Sequence, residues 1–200
     1  MQKVFLVGAK RSPIGAFLGT LKDVHPAVLG STVLKQLLAE TKVPVDKIDE
    51  VIVGNILPAG QGQGLARQIS IQAGIPQEVP AHSINMVCGS GMKAIMNAFT
   101  GIRSGFTGLV VAGGVESMSR APYVLTSKIR DGVKMGAQTM GDHMIDDALT
   151  DAFSNLHMGM TAENIVDKHQ ITREEQDQFA YLSQVKAIQA VDTGLFDPEI

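Results

Sequence analysis

The sequence predicts an α/β fold in which helices cover a mostly parallel β-sheet. Over the first 115 residues, short apolar runs alternate with segments whose apolar residues recur at helical spacing. Strands and helices that alternate in this order favour parallel pairing of the strands. A hydrophobic share of 44% in 200 residues is enough to build the core that such a sheet requires.

Four strands are predicted in this region, at residues 3–7, 50–57, 81–87 and 108–114. The first is an uninterrupted apolar run that ends at Gly8, so we expect a strand buried on both faces. The third is less regular than the others, because polar residues interrupt it.

Three helices are predicted between the strands. The first follows Pro26, a residue that suits a first helical turn. The second is expected to end at Gly74 and the third at Gly105, because glycine commonly follows the last turn of a helix. The apolar side chains at helical spacing are Leu65, Ile69 and Ala73 in the second helix, and Met92, Ile95, Met96, Phe99 and Ile102 in the third.

The character of the sequence changes near residues 117–121. Residues 117–160 are rich in Met, Ser, Gly and Asp and show no clear periodicity. We therefore predict two domains, an α/β domain over residues 1–118 and a loop-and-helix domain over residues 119–200. In the second, residues 161–164 are expected to begin a helix, and Thr172 opens a capping box whose helix runs to about Val191. Residues 193–200 resemble a turn into a new strand, which fits either a helical appendage or a chain that stops before its next strand.

Charge and cysteine content exclude several classes of protein. A formal net charge of −3 and the absence of a basic run longer than Lys10-Arg11 weigh against a nucleic-acid partner. A single cysteine cannot form an internal disulfide bond. The apolar run at residues 4–7 is too short for a signal sequence or a membrane span, so we expect a cytoplasmic protein. No spacing of His, Cys and Asp suggests a metal site.

Cys88 is the candidate catalytic residue. It lies between a predicted strand and a predicted helix, and small residues, Gly89-Ser90-Gly91, follow it. Unpaired backbone N–H groups at the start of a helix favour the thiolate, the form that attacks a thioester, and can also stabilise an oxyanion. The alternative is that Cys88 fills the core as a small hydrophobic residue.

Three other polar residues have less specific signals. Asn85 can orient a neighbouring loop or simply end its strand. His157 is flanked by Leu156 and Met158, and either lines a mixed polar and apolar pocket or packs in the core. His143 lies in an acidic segment that we expect to be flexible.

Several stretches together carry a resemblance to a known family. They are RSPIG at 11–15, VGNIL at 53–57, ARQ at 66–68, INMVCGSG at 84–91, VAGGVESMSRAP at 111–122, HMG at 157–159, TAEN at 161–164 and FDPEI at 196–200. In this order they resemble the N-terminal half of a thiolase of the acetyl-CoA acetyltransferase type, over essentially the whole chain.

The resemblance implies a thiolase-like fold, layered αβαβα in the full family, with residues 119–200 as part of a coenzyme A-binding loop domain. It implies that Cys88 accepts an acetyl group from acetyl-CoA, and that a second acetyl-CoA attacks this group to give acetoacetyl-CoA and CoA. Leu149, His157 and Met158 match positions that line the coenzyme A and acyl pocket. The family uses these CoA thioesters as substrates without a further cofactor, acts in fatty acid metabolism, and forms homodimers or homotetramers.

The chain departs from the family in length. Thiolases are about twice as long, and the resemblance implies that two active-site histidines and a second cysteine belong to the C-terminal half. We therefore expect little turnover from these 200 residues alone. One alternative is a catalytically silent thiolase-like module that binds coenzyme A or a partner subunit. A ketoacyl synthase is a third, although the HMGM and ESMSRAP stretches favour thiolase.

Overall fold

A computed structural model of the protein describes residues 3–200. The chain forms two compact units, of which the first ends at Ala148 and the second is Leu149–Ile200. The elements of the first unit are α1 (Pro26–Thr41), β1 (Glu50–Gly54), α2 (Leu65–Gln72), β2 (Ala81–Ile84), α3 (Ser90–Arg103), β3 (Val110–Gly114), β4 (Tyr123–Leu125) and β5 (Met140–Asp142). The helices of the second unit are α4 (Met158–His169) and α5 (Arg173–Asp192).

The first unit is built on a parallel three-stranded sheet in the order β2-β1-β3. The central strand, β1, pairs Gly54 with Ile84 on one side and with Gly114 on the other. The three strands therefore end level with one another, and the segments that follow them meet at one edge of the sheet. This arrangement confirms the predicted α/β fold with a mostly parallel sheet.

The core lies on both faces of β1, whose side chains alternate between them as in any strand. Val51 and Val53 pack with buried residues of α1 and α2, among them Leu34 and Ile69. Ile52 packs on the opposite face against Ala94 and Ala98 of α3. The sheet is thus covered by α1 and α2 on one side and by α3 on the other.

The prediction of a strand at residues 3–7 is wrong. These residues form no strand, and Phe5 and Leu6 are 77% and 86% exposed. The N-terminal segment instead lies beside α1, where Lys10 pairs with Glu40 at 2.8 Å, and residues 3–7 pair with none of the three strands of the sheet. A continuous apolar run becomes a strand only where a neighbouring edge accepts its hydrogen bonds, which the run itself does not specify.

The other three strands are confirmed with shorter bounds, since β1 and β2 end before Asn55 and Asn85 and β3 begins at Val110. The first three helices are confirmed as well. Pro26 is the first residue of α1, and Gly74 and Gly105 follow α2 and α3 with φ of +88° and +77°.

The helices of the second unit are confirmed in part. Thr172 and Glu175 form the predicted capping box of α5. The start predicted for α4 at residues 161–164 is wrong, because the helix begins at Met158, where Nδ1 of His157 accepts a hydrogen bond from the Gly159 amide. Beyond α5, residues 193–199 form turns rather than a strand.

The segment after β3 belongs to the first compact unit rather than to the second. Ser119 accepts a hydrogen bond from the Leu18 amide at 2.9 Å, and Arg120 donates to the Asp23 carbonyl. The compact units therefore divide at residues 148 and 149, not at the composition change near residues 117–121. The assignment of residues 1–118 and 119–200 as domains stays a prediction.

Over residues 3–200, no helix combines the length and apolar character that a bilayer crossing requires.

Candidate active site

Cys88 lies in the five-residue connection between β2 and α3, at the edge of the sheet where all three parallel strands end. Its side chain is exposed, so it does not fill the core of the unit. It also stands directly before the first turn of α3, where backbone N–H groups point out of the helix end. Position and exposure are those required of a nucleophile.

The backbone next to Cys88 is strained. Val87 has a φ of +48°, in the left-handed region that β-branched residues rarely adopt. Such a conformation costs on the order of 1–3 kcal/mol and persists only where surrounding contacts hold it, typically at functional sites. The strain turns the chain sharply between β2 and α3 and places Cys88 at the outside of the turn.

Ser90 holds this turn from the helix side. Its hydroxyl accepts a hydrogen bond from the Met86 amide at 2.8 Å and donates one to the Val87 carbonyl. The residue is only 3% exposed, and loss of its hydroxyl would leave the Met86 amide without this acceptor and the Val87 carbonyl with the Ser90 amide alone. The amides of Gly89 and Ser90 also donate within the turn, to the carbonyls of Met86 and Val87.

Close contact between α3 and the sheet fixes where the turn lies. A Cβ atom at Gly54, the last residue of β1, would lie 2.5 Å from the carbonyl carbon of Ser90 and 2.6 Å from the nitrogen of Gly91. A Cβ at Gly114, the last residue of β3, would lie 3.2 Å from Cα of Gly91. The start of α3 therefore rests directly on the ends of two strands, and only glycine permits this approach.

Glu116 organises the segment that follows β1. Its carboxylate accepts hydrogen bonds from the amides of Ile56 at 2.7 Å and Leu57 at 3.3 Å, and from Nδ2 of Asn55 at 3.1 Å. Nδ2 of Asn55 also donates to the Val115 carbonyl. The carboxylate thus joins the ends of β1 and β3 beyond the last paired residues of the sheet.

A cavity of about 220 Å³ opens beside the turn. Its lining includes Asn55, Gln61, Ser83 and Asn85. Oδ1 of Asn55 and Oε1 of Gln61 are buried without a hydrogen-bond partner among the described residues. The glycines of the 60–64 loop supply positive φ angles there, and the Gln68 side chain closes the loop by donating to the carbonyls of Gln61 and Gln63.

The predicted pocket residues Leu149, His157 and Met158 all belong to the second unit, where they lie close together. An antiparallel bridge joins Thr150 to His157, which places Leu149 opposite Met158. Nδ1 of His157 accepts the Gly159 amide at 3.0 Å, so in the neutral ring the proton is carried by Nε2. His157 is exposed, and Met158 is 37% exposed. The interpretation of His157 as a packed core residue is therefore wrong.

A family model described as "Thiolase, N-terminal domain" matches residues 4–200 of the chain. The chain belongs to the thiolase family. A protein of Staphylococcus epidermidis named "Probable acetyl-CoA acyltransferase" is 50% identical over all 200 residues, and a protein of Staphylococcus aureus with the same name is 49% identical. The chain covers 50% and 51% of these two proteins, so it spans about half the length of the curated relatives it matches.

A solved thiolase has the same fold. The Acat5 thiolase of Ascaris suum, crystallised in complex with coenzyme A, superimposes with a TM-score of 0.92 and 39% sequence identity. The match covers 97% of this thiolase chain and 50% of the solved one. The family and the thiolase-like fold predicted from the motifs are thereby confirmed.

Sequence reasoning missed three features of this thiolase site. They are the positive φ of Val87, the hydrogen bonds of the Ser90 hydroxyl and the carboxylate of Glu116. All three residues lie in stretches that carry the family resemblance, which by itself assigns them no structural role. A signal was available for Glu116, since polar residues directly after neighbouring parallel strands meet at the same edge of the sheet.

His143, expected in a flexible segment, is instead only 6% exposed, and its Nδ1 is hydrogen-bonded to Asp147. Residues 3–200 contain no group of three or more His, Cys, Asp and Glu side chains that could hold a metal ion.

Proposed function

We propose that this chain is the nucleophile-bearing part of a thiolase-type acyltransferase, in which Cys88 carries the acyl group. The observation on which the proposal depends is the exposed thiol at the start of α3, beside a strained residue and at the carboxyl edge of a parallel sheet. The names of the relatives, probable acetyl-CoA acyltransferases, support acyl transfer from acetyl-CoA as the reaction class.

The proposed reaction is the reversible condensation of two acetyl-CoA molecules to acetoacetyl-CoA and CoA. In the first half, the Cys88 thiolate attacks the thioester carbonyl, a new carbon–sulfur bond forms, and the CoA thiolate leaves and takes up the proton that the Cys88 thiol gave up. In the second half, the methyl carbon of another acetyl-CoA loses a proton and attacks the acetyl group on Cys88, and the Cys88 thiolate leaves and takes up that proton. The same thiol is therefore nucleophile and leaving group in turn.

The backbone amide of Cys88 is the proposed donor to the oxyanion that forms on the acyl carbonyl. The amides of Val87 and Gly89 already donate to Asn85 and Met86, so their hydrogen-bonding capacity is used within the turn. A turn held in this way presents one amide in a fixed direction, which lowers the reorganisation needed in the transition state.

Leu149, His157 and Met158 are proposed to contact the CoA thioester. Leu149 and Met158 offer an adaptable apolar wall for a short acyl group. Nδ1 of His157 accepts the Gly159 amide, so the Nε2–H of the ring is the hydrogen-bond donor that it offers to a carbonyl oxygen. No cofactor beyond the CoA thioesters is proposed. We further propose that the complete protein works in the cytoplasm as a homodimer or homotetramer and that its other half supplies the remaining catalytic groups.

Thiolytic cleavage of acetoacetyl-CoA by CoA, followed spectrophotometrically, tests the proposal in the full-length protein. We expect Cys88→Ser to reduce kcat by several orders of magnitude, because the serine hydroxyl is a far weaker nucleophile at neutral pH. Met158→Ala should raise KM for acetoacetyl-CoA, whereas Met160→Ala, two residues further along the same helix, should leave it unchanged. Full activity of Cys88→Ser would refute the role of the thiol. Binding of CoA without any turnover in the full-length protein would instead support the silent module.

A further inference from the structure

We propose that Glu116 is a positioning residue for the Cys88 turn and that it acts through the segment after β1 and through Asn85. Glu116 lies on the strand-end segment after β3, whereas Cys88 lies on the connection from β2 to α3. The link between them is a chain of hydrogen bonds across the carboxyl edge of the sheet. The proposal rests on the function proposed above only in taking Cys88 as the reacting residue.

The first link is the carboxylate itself. Glu116 follows Val115, whose amide donates to the Gly54 carbonyl at 3.0 Å and continues the pairing of β1 and β3 by one residue. The two carboxylate oxygens of Glu116 then accept hydrogen bonds from the amides of Ile56 and Leu57 in the segment after β1. Hydrogen bonds from backbone N–H groups to a carboxylate are charge-assisted and stronger than neutral ones, so this segment is held firmly.

The second link is the peptide group between Ile56 and Leu57. Its N–H donates to Oε1 of Glu116, and its C=O accepts a hydrogen bond from Nδ2 of Asn85, both at 3.3 Å. Each of these contacts is long, but the two act on opposite ends of one rigid planar group. A peptide group that donates at one end and accepts at the other is polarised by both bonds, so each strengthens the other.

The third link joins Asn85 to the strained residue. Oδ1 of Asn85 accepts the Val87 amide at 2.9 Å, which closes a turn over the residue with positive φ. The orientation of this amide side chain is unambiguous, because its NH₂ group faces a carbonyl and its oxygen faces an N–H donor. Of the two interpretations open for Asn85, the one in which it orients a neighbouring loop agrees with these contacts.

The turn is therefore held from two sides. Ser90 bonds to Met86 and to the carbonyl of Val87 from the helix, while Asn85 bonds to the Val87 amide from the sheet. Glu116 fixes the peptide group between Ile56 and Leu57, to which Asn85 donates a hydrogen bond. Replacement of the Glu116 carboxylate should therefore weaken the hold of Asn85 on the Val87 amide, without removing any contact of Cys88 itself.

The chain provides a matched control at the opposite edge of the same two strands. Asp49 precedes β1, and its Oδ2 accepts the amides of Gly108 at 2.6 Å and Leu109 at 2.9 Å, just before β3. Asp49 and Glu116 are thus two carboxylates that bridge β1 and β3 through backbone N–H groups, one at each end. Only Glu116 is connected to the Cys88 turn.

Amide hydrogen exchange, measured by mass spectrometry on the full-length protein, tests the proposal directly. Glu116→Gln preserves the volume but replaces one acceptor oxygen by an NH₂ group that faces backbone donors. We expect exchange in the peptide that contains residues 85–90 to become about five- to tenfold faster. Asp49→Asn should leave the exchange of that peptide unchanged and affect the peptides that contain residues 108 and 109.

A second variant covers the case in which Glu116→Gln does not fold. Asn85→Ala removes both the acceptor of the Val87 amide and the donor to the Ile56 carbonyl, and we expect the same acceleration over residues 85–90. Where both variants fold, the double variant should exchange no faster than the faster single one, because both break one chain of contacts. Unchanged exchange over residues 85–90 in the variants that fold would overturn the proposal, as would an equal effect of Asp49→Asn.

Acetylation of Cys88 by acetyl-CoA supplies a functional readout that a general loss of stability would not produce. We expect Glu116→Gln to slow acetylation about tenfold at a temperature where the variant is fully folded, because misplacement of a reacting group costs rate. Asp49→Asn should acetylate at the wild-type rate. If the wild-type protein is not acetylated, the proposed function fails, and the exchange measurement still decides the role of Glu116.

Discussion

A methyl group at position 54 tests how closely α3 rests on the sheet. In Gly54→Ala the new Cβ would lie 2.5–2.8 Å from atoms of Ser90 and Gly91, two of them backbone atoms that cannot rotate away. Reaching an ordinary contact distance requires a shift of about 1 Å. Gly54 cannot move alone, because β1 is paired on both sides, so the start of α3 has to move.

Overpacking that the backbone must absorb costs typically 1–3 kcal/mol, and this site is at the upper end because both partners are fixed. For a chain of 200 residues, about 3 kcal/mol corresponds to a fall in Tm of roughly 6–12 °C. Thermal unfolding followed by circular dichroism measures this change. We also expect slower acetylation of Cys88, because the turn moves together with the start of α3.

Gly113→Ala is the matched control for this prediction. Gly113 is a strand glycine of β3, but no described atom lies within 4 Å of a Cβ built there. We expect its free energy of unfolding to stay within about 1 kcal/mol of the wild-type value, and it can rise, because alanine restricts the unfolded chain. Equal stability of Gly54→Ala and Gly113→Ala would refute the close contact between β1 and α3.

Three further predictions concern single side chains. Thr172→Ala removes the cap of α5 and should lower its stability by about 1 kcal/mol, seen as lower helicity on heating. Two backbone N–H groups lower the pKa of Asp49 below its usual value, so the stability it adds is present above pH about 4 and is lost as pH falls through the lowered pKa; Asp49→Asn should flatten that part of an acid-unfolding curve. Ser90→Ala should cost about 1–3 kcal/mol and speed exchange in the Cys88 turn, because its two backbone partners are left without the hydroxyl.

The elements that could be predicted from the sequence are those whose signals are local. Pro26, Gly74 and Gly105 mark helix ends through their own backbone preferences, and the capping box at Thr172 lies within four residues. The apolar run at residues 3–7 forms no strand, because such a run does not specify its partner and the segment lies beside α1 instead. The start of α4 was misplaced because histidine is not among the usual capping residues.

The candidate site also contains features that the sequence indicates locally and features that depend on distant residues. Cys88 could be singled out, because a lone cysteine before three small residues and an amphipathic helix is a local pattern. The place of Glu116 at the carboxyl edge of the sheet follows from its position directly after a strand, but its partners Ile56 and Leu57 could not be predicted, because they lie about 60 positions earlier in the chain. The strain at Val87 could not either, since a β-branched residue gives no indication of a positive φ.

Acceptance of an acetyl group from acetyl-CoA by the Cys88 thiol is the step on which the proposed function depends. The most direct measurement is peptide mass spectrometry of the protein after brief incubation with isotopically labelled acetyl-CoA and quenching in acid, which preserves a thioester. We expect one labelled acetyl group, located on Cys88, released by CoA and absent in Cys88→Ala. A protein that remains unlabelled, or that carries the label on another residue in both wild type and variant, would contradict the proposed function.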